Sequence, residues 1–136
     1  MAALESGKAL IVNDMSCIGN AHFSTEVSED GDPYQALAER ILLRPSCPNI
    51  VDRYQSRLDA AARFAEEWKC DGIVFDHLQF CTIGDVEAYL YRQEFTKKGI
   101  PYVSLQHELY GGGAGQVKTR IEAFTEQIYN IKRKQS

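Results

Sequence analysis

The sequence has no apolar run long enough to span a bilayer. No signal peptide is visible in Met1 to Gly7, a short start that carries Glu5. It also lacks a Cys-x-x-Cys pair. Its four cysteines, Cys17, Cys47, Cys70 and Cys81, are too few and too scattered for the disulfide scaffold of a small secreted domain. Nor does their spacing make a self-contained zinc site. There is no excess of positive charge: the formal net charge is −4 at pH 7, which argues against nucleic acid or an anionic membrane as partner. The one basic cluster, Lys132-Arg133-Lys134, ends a predicted helix and complements its dipole. Internal repeats are absent, and the only low-complexity tract is Gly111-Gly112-Gly113-Ala114-Gly115. These absences predict a cytoplasmic protein in a reducing setting, with neither nucleic acid nor membrane as partner.

What is present reads as one α/β domain over residues 1–136, long enough to bury a core. Ala3 to Gly7 resembles the tail of a helix closed by a glycine, which suggests that the chain begins inside a larger architecture. Ala9-Leu10-Ile11-Val12 is predicted as a short strand leading into the polar loop Asn13 to Asn20. Asp32-Pro33-Tyr34-Gln35 has the form of a helix start: Asp32 to cap, Pro33 at the first helical position, Gln35 to complete a capping box. Tyr34, Leu37, Ala38, Ile41 and Leu42 then share a face, and Pro45 ends the helix. A second helix is predicted from about Ile50 to Lys69, with Leu58, Ala61, Ala62, Ala65 and Trp68 on its apolar side.

The run Gly72 to Cys81, rich in β-branched and aromatic residues, reads as the central parallel strand. Val86, Tyr89, Leu90 and Phe95 line the helix that follows, up to Gly99. Pro101, suited to the first residue of a strand, opens Tyr102-Val103-Ser104-Leu105. A last helix carries Val117, Ile121, Phe124, Ile128 and Ile131 at helical spacing. This order predicts a three-layer α/β fold: a parallel, Rossmann- or flavodoxin-like sheet with flanking helices, missing its first strand.

Open sheets of this kind place their chemistry just beyond the carboxyl ends of the strands. Cys81 falls there, and Cys17 falls on the same edge if both strands are parallel. A lone cysteine is more often a small buried hydrophobe than a ligand, and a cluster needs several thiolates, so Cys81 requires help from elsewhere. Cys70 precedes the central strand, on the opposite edge, and is read as structural, as is Cys47 beside Pro48. Glu108 is a weak acid–base candidate beyond the third strand. Gln116 and Arg120 stand in the first turns of the last helix, where Arg120 could meet an anion or form a surface ion pair. The glycine loop before that helix lacks the Lys-Ser/Thr of a P-loop, and a flexible turn is the simpler reading. His77 and His107 each sit near a strand end with no motif spacing.

Several stretches resemble one family in order and spacing. They are Asn13-Asp14-Met15-Ser16-Cys17-Ile18-Gly19, Asp32-Pro33 with Ala36-Leu37-Ala38, Pro45-Ser46-Cys47-Pro48, Asp71-Gly72-Ile73, Phe80-Cys81, Gly99-Ile100-Pro101 and Gly115 to Phe124. Nearly the whole chain is similar to the carboxyl-terminal domain of the subunits of 2-hydroxyacyl-CoA dehydratases and benzoyl-CoA reductases. The resemblance implies two homologous subunits, each holding a [4Fe–4S] cluster on three cysteines. It implies an ATP-dependent iron–sulfur activator that injects one low-potential electron, and an acyl-CoA substrate that is dehydrated through a ketyl radical anion or reduced in its aromatic ring. It carries over Cys81 as the one cluster ligand of this domain and places Cys17 near the cleft, the other ligands lying in an amino-terminal domain. Thr82-Ile83-Gly84-Asp85 replaces the commoner Asp-Pro type of turn, which leaves the reaction subtype open. The rival expectations are a receiver- or flavodoxin-like binding module using Asn13, Asp14 and Asp76, and a non-catalytic assembly module.

Overall fold

Two runs rich in β-branched and aromatic residues, Ile73–Leu78 (β1) and Tyr102–His107 (β2), pair in parallel in the computed structural model, which describes residues 5, 9–16, 18–45, 53–109 and 114–135. Ile73 lies opposite Tyr102, and the register runs without a break to Leu78 opposite His107. Parallel neighbours require a crossover. Helix α4 (Thr82–Lys97) supplies it. Before the sheet come α1 (Asn20–Phe23), α2 (Pro33–Leu43) and α3 (Tyr54–Glu67), and after it α5 (Ala114–Gln135).

Successive side chains of a strand point to opposite faces. Phase therefore decides which helix each strand residue meets. Phe75 packs edge-on against Tyr91 at 5.1 Å between centroids, and Tyr102 lies 5.7 Å from Phe95, so this phase of both strands faces α4. Gly72, in the other phase with Val74 and Asp76, leaves room that Phe124 and Ile128 of α5 fill; a Cβ at Gly72 would lie 2.7 Å from Phe124 Cζ. One helix on each face of a parallel sheet gives the three-layer α/β arrangement expected. Phe95, Leu105, Ile121 and Phe124 are buried at its centre.

The described chain divides into two compact units, residues 13–64 and residues 1–12 with 65–136. In the first, Asp14 closes a tight loop by accepting from Ser16 N at 2.6 Å, and Asn20 N donates to Asp14 O at 2.7 Å. Gly19 is required there because a Cβ would run into the Asp14 carboxyl group. Asp32 caps α2 through Tyr34 N, and Pro33 opens the helix, as the sequence predicts. Gln35, however, donates to Glu39 Oε1 at 2.8 Å and does not reach back as a capping box.

The differences among the helices share one cause: which apolar stripe a helix buries is set by its neighbours. Ala36 is the buried residue of α2. Arg40 turns inward and donates to the carbonyls of Thr25 and His22, which leaves Leu37 and Ile41 50% and 56% exposed. Helix α3 buries Leu58, Ala60, Phe64 and Ala65, while Trp68 is outward, beyond the last helical residue. Helix α4 buries Gly84, Glu87, Ala88, Tyr91 and Phe95; of the expected lining Phe95 is buried and Leu90 half-buried, while Val86 and Tyr89 are exposed. Small residues at 84 and 88 let α4 approach the sheet, and the aromatic pair fills the space beyond. Only α5 buries the face the spacing predicts. The sheet has two strands among the described residues. Ala9–Val12, expected as a strand, has no regular structure, since four residues form a strand only when a ladder receives them. β2 extends to His107, two residues further than expected, and β1 stops at Leu78, three before Cys81.

Candidate functional site

The carboxyl edge of the sheet is where the two strands hand over to α4 and to the segment before α5. After Leu78, Gln79 N continues the ladder with a 2.9 Å bond to His107 O. The chain then reverses at Phe80, whose φ is +66°, and Cys81 N bonds Leu78 O at 3.2 Å. Cys81 is the N-cap residue of α4, and its Sγ accepts from Gly84 N at 3.4 Å. The cysteine is exposed, a free thiol at the positive end of a sixteen-residue helix. Beside it Phe80 is 88% exposed, and Leu78 and Ile83 are also open to solvent.

Two histidine–carboxylate pairs flank this edge, one on each face. On the α4 face, His77 Nε2 lies 3.1 Å from Asp85 Oδ1, and Gln106 Nε2 donates to the same oxygen at 3.1 Å. A carboxylate only accepts, so the Nε2 proton of His77 is the shared one. On the α5 face, His107 Nε2 lies 3.2 Å from Asp76 Oδ2, joining β2 to β1, and its Nδ1 lies 3.1 Å from Glu108 O. The Glu108 carbonyl, followed by the charge and hydrogen bond of Asp76, raises the pKa of His107 above its ordinary value; partial burial opposes them. The sequence shows both histidines but not these pairs. The signal available was two adjacent polar residues, Asp76 and His77, inside an otherwise apolar strand, one for each face.

Of the other candidates, Glu108 joins these contacts through its backbone carbonyl alone. Glu108 is exposed just past β2, and Gln116 and Arg120 are exposed on the first turns of α5. Thr119 Oγ1 donates back to Gly115 O at 3.0 Å. Cys17, Cys47 and Gly111 to Gly113 fall outside the described residues. Cys70 stands at the amino end of β1, half-buried; burial first, and the Asp71 charge second, push its thiol pKa up.

Among the described residues, no group of three or more His, Cys, Asp or Glu converges as a metal site, and no helix is long and apolar enough to cross a membrane. Among the described residues, the one thiol at the carboxyl edge is that of Cys81, and it is exposed. That fits a single ligand of an iron–sulfur cluster and not a whole cluster, which needs several thiolates.

A family model described as 2-hydroxyglutaryl-CoA dehydratase, D-component, matches residues 1–128. The chain is also similar to the putative dehydratase subunit YjiM of Escherichia coli (strain K12), with 30% identity over 128 residues, 93% of this chain and 33% of that protein. It thus spans about a third of the length of the curated relative it matches.

Proposed function

Because the chain belongs to the 2-hydroxyglutaryl-CoA dehydratase D-component family, we propose that it forms the cluster-side part of a dehydratase-type subunit, in which Cys81 supplies one thiolate ligand. The observation that supports this reading is the exposed Cys81 thiol at the N-cap of α4, at the carboxyl edge of a parallel sheet. When bound, a four-iron cluster would supply a low-potential electron to an acyl-CoA thioester, for dehydration or for ring reduction of the benzoyl-CoA reductase kind.

The chain's own contribution is to hold and surround the ligand. Gly84 N–H donates to the sulfur, and hydrogen bonds to a cluster's sulfurs are among the features that set its potential. Phe80, Leu78 and Ile83 supply apolar surface around Cys81, which limits water once another surface covers it. The remaining ligands come from the rest of the subunit. The partners in this reading are a homologous second subunit and an ATP-dependent iron–sulfur activator.

The test is anaerobic reconstitution with iron and sulfide, of the chain alone and of the chain with the two-thirds of a YjiM-like subunit that it does not cover. The expected result is no stable cluster on the chain alone, roughly four iron per complex with the added part, and loss of that iron in Cys81→Ala. Retention of the full iron content by Cys81→Ala would show Cys81 to be structural and leave an assembly module as the better account.

A further inference from the structure

His77 is a polar side chain in a place where an apolar one would pack without penalty. Its side chain is 8% exposed, and its Nδ1 is buried with no hydrogen-bond partner among the described residues. A buried polar atom without a partner is unfavourable, and such a local conflict marks a residue kept for another purpose. What His77 supplies is the Nε2 bond to Asp85 Oδ1 at 3.1 Å. Gln106 donates to the same oxygen from the facing position of β2, since His77 and Gln106 are register partners. Asp85 therefore receives one N–H from each strand. It belongs to the first turn of α4, where its own N–H bonds Cys81 O at 2.9 Å. The preceding residue, Gly84, lies against His77 so closely that a Cβ would stand 2.9 Å from His77 Cβ, and its N–H is the one that reaches Cys81 Sγ.

We infer that Asp85, gripped by His77 and Gln106, is a positioning clamp that fixes the first turn of α4, and with it the Cys81 sulfur, against the carboxyl ends of both strands. Apolar packing alone is non-directional and lets a helix end slide on a sheet. Two hydrogen bonds converging on one carboxylate oxygen are directional, and a ligand atom must be held to within about 0.5 Å to serve a site built from more than one segment. This inference deepens the reading of Cys81 as a cluster ligand and rests on it for its purpose, though the clamp itself can be measured without a cluster. Asp85 and Gln106 act through the turn and touch no reacting atom.

The experiment has two arms. In the first, amide hydrogen exchange of the intact chain is followed by NMR for wild type, Asp85→Ala and Gln106→Leu. Asp85 is half exposed, so its removal takes no packing from the core and leaves the His77 Nε2–H without its acceptor. The amides of residues 84 and 85 should exchange roughly tenfold faster in Asp85→Ala and a few-fold faster in Gln106→Leu, as expected for the loss of one or two hydrogen bonds, and the amides of Leu105 and Ile121 should accelerate by no more than the same factor, because a lost native contact lowers global stability too. Unchanged exchange at Gly84 in both variants overturns the clamp. Acceleration at Leu105 and Ile121 with none at Gly84 overturns it too, because the substitution would then act without loosening the first turn of α4. In the second arm, the same variants are reconstituted with the rest of a subunit, and the EPR g-values and midpoint potential are read. Both should shift, whereas in Glu122→Gln, on the exposed side of α5, they should not. A cluster whose g-values and potential ignore the Asp85 and Gln106 changes removes the clamp's role toward it. If the cluster survives Cys81→Ala, the ligand reading fails, and the exchange arm still decides whether the clamp exists.

Discussion

Phe80 takes up a left-handed backbone conformation, φ +66°, which costs a residue with a Cβ about 1–2 kcal/mol. Its ring contributes little in return, because it is 88% exposed. Glycine adopts this conformation freely but loses more entropy on folding. The balance predicts that Phe80→Gly raises the stability of the chain by about 0.5–1 kcal/mol, read as a higher urea midpoint at unchanged slope. A lower midpoint would mean that the ring makes a stabilising contact. The same residue shows where reading the sequence stops. Phe80-Cys81 was legible as part of a family pattern, while the strand expected to end there stops at Leu78. The reversal that caps α4 with the cysteine was not, because an aromatic residue gives no signal for positive φ.

Among the elements, burial follows the neighbour and not the apolar count. Helix α4 carries two apolar stripes, and the one through Gly84, Ala88, Tyr91 and Phe95 faces the sheet. Phe95→Ala should therefore cost about 3–5 kcal/mol, since the side chain is wholly buried between Tyr91 and Tyr102. Ile41→Gln in α2 should change stability by less than about 0.5 kcal/mol, because Ile41 lies on the open side of its helix. Chemical denaturation of both variants checks the contrast, and a large loss for Ile41→Gln would place that stripe in a core. Periodicity identifies an amphipathic helix, yet it cannot choose between two stripes. In α2 the choice was made by Arg40 and its two carbonyl partners, which are 15 and 18 residues away in sequence.

For the molecule as a whole, the His107–Asp76 bridge between the strands couples folding to pH. The folded pKa of His107 is raised from its ordinary 6.5, first by the Glu108 carbonyl and then by Asp76, so the contribution of these contacts is fully present below that value and is lost as pH rises through the folded pKa. The side chain is 35% exposed, so solvent screens the pair and the effect is small. The urea midpoint should fall modestly between about pH 6 and pH 8, and His107→Gln should flatten that part of the curve. An unchanged profile in His107→Gln would assign the pH dependence to other groups.

The sequence by itself determined the class of this protein. The strand, helix, strand, helix order from Ile73 to Gln135, the Asp32-Pro33 helix start and the face of α5 follow from local pattern, which short-range sterics and capping enforce. The family pattern around Phe80-Cys81 was legible for the same reason, being a matter of residue order. Only the tertiary structure decided what surrounds Cys81. Parallel register set His77 beside Gln106 and brought His107 within reach of Asp76, and the crossover of α4 returned Asp85 to the strand it had left. These pairings join residues 8 to 31 positions apart. A local pattern carries no record of them, because they depend on how strand twist and helix packing close the βαβ unit in space.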